Sequence, residues 1–257
     1  VAHGLPNAIS VIAGSEVDHP DHRAMLNIAS FYSTKLAFGP AVVRAIAQGM
    51  TAPSLDEPLA DLLPRIAEAL GKRVPDLVIC TMNRPRHAPL IAEVRACGAA
   101  LRLITDGDIT AAVSPSLPGS GVDLYYGIGG SPEGVLTAAA LKGLGGDMLL
   151  RMCPRDDAER AELTATAGAA ALDRVYSCDD LVRGDSAIFC ATGISDSPLL
   201  PGVKITGRTA VTHSILVRAR SRTVRYIHAH HNLDHKTIHL RSSEADTRLL
   251  TPSGAPI

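Results

Sequence analysis

The sequence predicts an α/β protein with a mostly parallel sheet, entered through a first part of α+β character. Three observations predict it. From residue 77 onward, apolar runs without polar alternation, as in strands covered on both faces, trade places with segments of helical spacing. Polar clusters fall at the carboxyl ends of three of those runs, where open α/β sheets bind ligands. With 46% apolar and 20% charged residues, 257 residues can bury a real core as one large domain or two small ones, which excludes disorder and coiled coil.

Residues 5–13 read as a strand and 31–38 alternate like a second, with a polar loop at 16–22 between them. Leu59, Leu62, Leu63, Ile66 and Leu70 share a helix face that Gly71 closes. Pro64 inside that pattern predicts a kink or a late helix start. Residues 1–72 are thus expected to be what remains of a first, α+β domain, and 73–257 an α/β domain. In the second part, 77–80 is a covered strand, 90–97 a helix stopped by Gly98, and 101–104 and 122–126 are further strands. Helices follow over about 132–144 and 157–172, then a strand at 187–191. The chain then changes character. Residues 211–217 alternate, Arg220-Ser221-Arg222 turns, and 224–230 runs back as an antiparallel hairpin; the tail after Ser242 reads as frayed.

Composition narrows the function. Twenty-five Lys and Arg against 26 Asp and Glu give a formal charge of -1, unlike a protein that lives on phosphate-backbone contacts. Trp is absent and aromatics are 3%, which leaves no platform for stacking single strands. No apolar run reaches the ~18 residues of a membrane span, and nothing resembles a secretory h-region. Cys80, Cys97, Cys153, Cys178 and Cys190 are scattered without a C-x-x-C pair, which suits the reduced thiols of a cytosolic enzyme. A small-molecule partner is expected, not nucleic acid or membrane.

The chemistry-bearing residues gather at the three strand ends. Arg84-Pro85-Arg86-His87 follows 77–80, Asp106-Gly107-Asp108 follows 101–104, and Gly127-Ile128-Gly129-Gly130-Ser131-Pro132-Glu133-Gly134 follows 122–126. Any one could be an ordinary loop; three at one sheet edge define a site. In the glycine loop the backbone can approach a ligand closely and take φ > 0. Ser131 is a natural N-cap and Pro132 a natural first helical residue, so the loop ends on a helix N-terminus, which favours phosphate. Glu133 either complements that helix dipole or, beside a phosphate, holds a bridging cation. Mg²⁺ or Mn²⁺ takes carboxylate and phosphate oxygens together. Arg84 and Arg86 flank a proline that holds the loop extended, and their guanidinium forks suit phosphate; a solvated basic turn is the plainer alternative. Asp106 and Asp108 could accept sugar hydroxyls, hold metal, or cap the helix at Ile109.

Other patterns compete. Gly127-x-Gly129 begins a dinucleotide fingerprint, but Pro132 stands at the third glycine position. Residues 101–110 fit the D-x-D-x-T loop of haloacid-dehalogenase-type phosphatases, which would make Asp106 a covalent nucleophile and Asp108 its acid. There the motif usually comes first, whereas two strands and a helix precede it here. His228, His230, His231, His235 and His239 suggest zinc, with His228 and His230 on one strand face. No cysteine is near, and a polar sheet face or subunit contact accounts for them as well. Arg218, Arg220, Arg222 and Arg225 read as a solvated hairpin rim.

Together the clusters resemble class II fructose-1,6-bisphosphatases, the bacterial metal-dependent sugar bisphosphatases. The likeness is carried by G-L-P-N-A-I-S-V-I-A (4–13), F-Y-S-T-K-L (31–36), R-P-R-H (84–87) and D-G-D (106–108). Its strongest stretch is V-D-L-Y-Y-G-I-G-G-S-P-E-G-V-L-T-A-A-A-L-K (122–142), followed by G-D-M (146–148), F-C-A-T-G-I (189–194) and S-R-T-V-R-Y-I (221–227). The resemblance implies a two-domain sugar-phosphatase fold related to inositol monophosphatases. It implies hydrolysis of the 1-phosphate of fructose 1,6-bisphosphate to fructose 6-phosphate and phosphate, by a metal-activated water, in gluconeogenesis or Calvin-type carbon metabolism. Carried over by residue, Tyr32 contacts substrate, Arg84, Pro85 and Arg86 hold a phosphate, and Asp106, Gly107 and Asp108 line the sugar. Gly130 contacts the ligand and Glu133 binds Mn²⁺ or Mg²⁺. A cytoplasmic homo-oligomer, dimer or tetramer, goes with it. The family's other metal carboxylates and its catalytic threonine lie ahead of its equivalent of residues 4–13, in and before a D-P-x-E-x-T motif. A leading segment is therefore expected to be missing before Val1, although a removed start methionine also accounts for that residue. A sugar-phosphate-binding remnant without catalysis is accordingly a further reading, beside the covalent-aspartate one.

Overall fold

The computed structural model describes residues 6–16, 24–236, 238–241 and 246–250. Two sheets organise them, with helices between and on one outer side. The larger sheet has six strands in the order β4 (Ala100–Ile104), β3 (Val78–Met82), β5 (Leu124–Gly130), β2 (Tyr32–Phe38), β6 (Asp147–Met152) and β7 (Val175–Tyr176). The smaller runs β1 (Ile9–Ser15), β8 (Ala187–Gly193), β10 (Thr209–Arg218) and β11 (Thr223–Asn232), with β9 (Lys204–Thr206) added on β10. A separate ribbon pairs β12 (Ile238–Arg241) with β13 (Asp246–Leu250), so part of the tail expected to fray is paired. The remaining tail residues, and positions 17–22 of the expected loop, lie outside the described residues.

The larger sheet is mixed, not mostly parallel. Only β3 with β4 and β3 with β5 run parallel; β2 is antiparallel to both its neighbours, and β7 to β6. β5 and β6 are joined by α5 (Ser131–Leu144) in a crossover, and β2 slots between them from earlier in the chain. Neither sheet respects the boundary expected at residue 72. β2 is interior to one sheet and β1 completes the other through β8, so both sheets need strands from each side of that boundary. The hairpin of β10 and β11 is as expected, paired from Thr209 opposite Asn232 to Arg218 opposite Thr223.

Packing explains the layers. α1 (Pro40–Ala47), α2 (Leu59–Leu70) and α3 (Ala88–Ala96) cover one face of the larger sheet, burying Leu36 and Phe38 of β2 against Leu59, Leu62, Leu63 and Ile66. α4 (Asp108–Val113), α5 and α8 (Cys178–Leu181) fill the space between the sheets, where Ala138, Ala139 and Leu141 meet Phe189, Ile215 and Val217. α2 begins at Leu59 and runs through Pro64 to a left-handed Gly71. Pro64 and Ala60 both lie on the exposed side, so the Ala60 carbonyl that loses its helical donor can bond water. The helix expected over 157–172 breaks at Gly168, φ +83, into α6 (Asp157–Ala167) and α7 (Ala170–Asp173). Among the described residues no helix is long and apolar enough to cross a membrane.

Candidate active site

The glycine segment is strand, not loop. β5 continues through Gly130, pairing Gly127 with Lys35, Gly129 with Ser33 and Gly130 with Tyr32 on β2. None of these glycines has a left-handed φ. Their lack of a side chain serves space instead. A Cβ on Gly127 would stand 2.6 Å from the Tyr125 hydroxyl and 3.3 Å from His87 Nε2. One on Gly129 would collide with the Asp108 carboxylate, and one on Gly130 with that of Glu133. Gly130 is the N-cap of α5, with Ser131 and Pro132 the first two helical residues. Ser131 is buried and ties the helix start to the entry of β2: its Oγ donates to the Ala29 carbonyl at 2.5 Å and accepts the Phe31 N–H at 3.2 Å.

One corner of the sheet brings Tyr32, Arg86, Gly130 and Glu133 together, where β2 begins, β5 ends and α5 starts. The Arg86 guanidinium lies 4.8 Å from the centre of the Tyr32 ring, while its Nε and Nη2 donate to the Ile128 carbonyl at 3.1 and 3.0 Å. Arg155, which the sequence did not suggest, lies 5.5 Å from the centre of the same ring and is ion-paired to Glu159. Tyr32 is thereby flanked by two guanidinium groups, each in a cation–π contact. Arg84 and Pro85 are exposed. Pro85 does not keep its loop extended; it opens a single 3-10 turn, Pro85–His87, closed by the His87 N–H on the Arg84 carbonyl at 2.9 Å.

The acidic pair divides. Asp106 is exposed, its carboxylate accepting the Gly107 N–H at 2.9 Å and its carbonyl the Asn7 side-chain amide at 3.1 Å. Gly107 has φ +97 and a Cβ there would meet that of Asn7 at 2.6 Å, so the turn requires glycine. Asp108 is not a cap: Gly107 is the N-cap, and the Asp108 carboxylate is bound by Lys35 Nζ on one oxygen and the Tyr125 hydroxyl on the other. Lys35 is wholly buried. Burial, then the Asp108 charge, pushes the Tyr125 phenol well above its ordinary range, so it stays a donor. His87 is also buried, and its Nε2 accepts the Ile128 N–H at 2.7 Å. Burial above all, then Arg86, lowers its pKa to about 4, so it is neutral at pH 7.

Lys35, Tyr125, His87 and Arg155 are the site residues that sequence reasoning did not assign. Lys35 carried a readable signal. In a strand that ends Leu36-Ala37-Phe38, period two puts Ser33, Lys35 and Ala37 on one inward face, where a cation needs a counter-charge.

Two competing patterns fail on geometry. β4 is an edge strand and Asp108 is already bound by Lys35 and Tyr125, so Asp106 and Asp108 do not form a nucleophile and a free acid. His228 stacks on His213 at 4.6 Å and touches His230 at 4.7 Å, and His231 bonds Thr212. Among the described residues no group of three His, Cys, Asp or Glu side chains is arranged to hold a metal ion, zinc included. The side chain of His239 lies outside the described residues.

Comparison with known proteins identifies the family. Residues 1–231 match one family, described as bacterial fructose-1,6-bisphosphatase, glpX-encoded. The chain is similar to the fructose-1,6-bisphosphatase class 2 of Haemophilus influenzae, 39% identical over 244 residues, which cover 91% of this chain and 70% of that protein. It is likewise 37% identical over 246 residues to the fructose-1,6-bisphosphatase 1 class 2 of Escherichia coli K12, with the same shares of each chain.

Proposed function

The chain belongs to the bacterial, glpX-type family of fructose-1,6-bisphosphatases, and from that premise we propose that it hydrolyses the 1-phosphate of fructose 1,6-bisphosphate to fructose 6-phosphate and phosphate. The step belongs to gluconeogenic carbohydrate metabolism. One observation carries the reading: Arg86 is held by the Ile128 carbonyl and the Tyr32 ring beside the strand end from which α5 starts. That contact does not use its Nη1 group. A guanidinium already fixed in place loses little entropy when it takes a phosphate oxygen. In this reading Arg84, Pro85 and Arg86 hold a phosphate, with Tyr32 and Gly130 against the ligand. Asp106, Gly107 and Asp108 line the sugar, Asp108 having its carboxylate oriented by Lys35 and Tyr125.

A divalent cation, Mn²⁺ or Mg²⁺, belongs to such a hydrolysis, and Glu133 is the carboxylate proposed to meet it. The residues at hand do not make a complete cation site. Among the described residues no group of three His, Cys, Asp or Glu side chains is arranged to hold a metal ion, Glu133 included, and one carboxylate holds a dication weakly. We therefore assign no catalytic step to the metal. The same observation favours a second reading, sugar-phosphate binding without turnover. A cytoplasmic homo-oligomer, dimer or tetramer, completes the proposal. Its support is Ile12, Ile205 and Ile227, 70%, 62% and 46% exposed, which the strand registers put on one face of the smaller sheet. The test is phosphate release from fructose 1,6-bisphosphate with Mn²⁺ or Mg²⁺, beside Glu133→Gln. Release of fructose 6-phosphate that Glu133→Gln abolishes supports hydrolysis; tight binding without release supports the second reading.

A further inference from the structure

We propose that His87 is a positioning residue for this site: by accepting the Ile128 N–H while Arg86 donates to the Ile128 carbonyl, it fixes the end of β5 and with it the phosphate-binding corner. The inference rests on the proposed function for the ligand, but the clamp itself is a matter of geometry.

β5 is unevenly supported. On one edge it pairs with β2 as far as Gly130. On the other it pairs with β3 only at Leu124 and Tyr125. In a strand the N–H and C=O of one residue point to the same edge, so both polar groups of Ile128 address the gap left where β3 ends. Unpaired, they would cost free energy comparable to lost hydrogen bonds. The residues that follow β3 close the gap with side chains. His87 Nε2 accepts at 2.7 Å, and Arg86 Nε and Nη2 donate at 3.1 and 3.0 Å. Two adjacent side chains thus stand in for the missing strand.

The role demands a neutral ring with a bare Nε2. Only 1% of His87 is exposed, and the charged groups near it are Arg86 and Arg84 on its own turn and Asp108 on α4, with the Tyr125 hydroxyl close by across Gly127. Burial and the two arginines outweigh Asp108 and keep the imidazole unprotonated. With Nε2 as acceptor the proton sits on Nδ1, which is buried without a partner. A buried orphan donor is unfavourable, and a clamp that needs this tautomer accounts for its being tolerated. Gly127 leaves the room the ring needs.

The experiment compares His87→Gln, whose amide oxygen can reach the same N–H, with His87→Leu, which cannot accept. Calorimetric titration with fructose 1,6-bisphosphate should give an affinity for His87→Gln within about threefold of the parent, and for His87→Leu a loss on the order of tenfold. Ile128 amide exchange should quicken in His87→Leu only. Equal affinities in all three proteins, or equal losses in both variants, would overturn the proposal. Should His87→Leu not fold, nitrogen NMR of the unaltered protein decides: an Nδ1–H tautomer at pH 7 is expected, and an Nε2–H tautomer overturns the clamp. If the parent binds no fructose 1,6-bisphosphate, the proposed function fails, while amide exchange and tautomer still judge His87.

Discussion

Lys35 shows what one buried charge demands. Its ammonium is wholly enclosed, and Asp108 is the carboxylate bound to it, with Tyr125 on the other oxygen. Breaking such a pair by removing one partner strands a charge away from water. Lys35→Met should therefore destabilise the fold by about 3–5 kcal/mol, and Lys35→Met with Asp108→Asn by less, as urea unfolding would report. His87 makes a pH prediction. Its pKa lies near 4 in the fold against 6.5 for the unfolded chain, so between those values the unfolded state binds the proton and the folded state does not. Its stabilising contribution is complete above 6.5 and is lost as pH falls toward 4. Urea midpoints should accordingly fall more steeply over that window in the parent than in His87→Gln; parallel curves would contradict it.

At the level of elements, β5 and α5 carry the site, and β5 is where the sequence misled most. A run of glycines reads as a loop because glycine is poor in strands and free in turns. Here each glycine faces a bulky or charged neighbour instead, a long-range fact that no local pattern encodes. Gly129→Ala should push a methyl into the Asp108 carboxylate and disturb its bonds to Lys35 and Tyr125. The expected cost is about 1–3 kcal/mol in urea unfolding, with weakened sugar-phosphate binding. An alanine variant as stable as the parent would mean that the carboxylate has room to move. Apolar runs and stop signals were legible where periodicity is local: the run at 77–80, the helix closed by Gly98, and the hairpin of β10 and β11. The 3-10 turn at Pro85 and the break at Gly168 were not, since proline and glycine signal interruption without saying which kind.

For the whole molecule, the topology was the least legible part. The alternation of β2 reveals a strand but not its partners, so nothing local says that it enters between β5 and β6. The motif clusters were read correctly as neighbours because strand ends in α/β sheets converge, yet the buried support of Lys35 and Tyr125 beneath them was not. Because both sheets draw strands from before residue 72, a fragment 73–257 would lose an interior strand of one sheet and an edge strand of the other. It should show no cooperative unfolding transition; a sharp one would mean that the second part folds alone. The corner of Tyr32, Arg86, Gly130 and Glu133 is proposed to hold a sugar bisphosphate. Calorimetric titration of fructose 1,6-bisphosphate into the full chain and its Arg86→Ala variant tests this most directly. Loss of a charge-assisted hydrogen bond worth about 1.5–3 kcal/mol predicts binding weakened roughly 10- to 150-fold in the variant. Equal affinity in the two proteins, or no binding by either, would contradict the account.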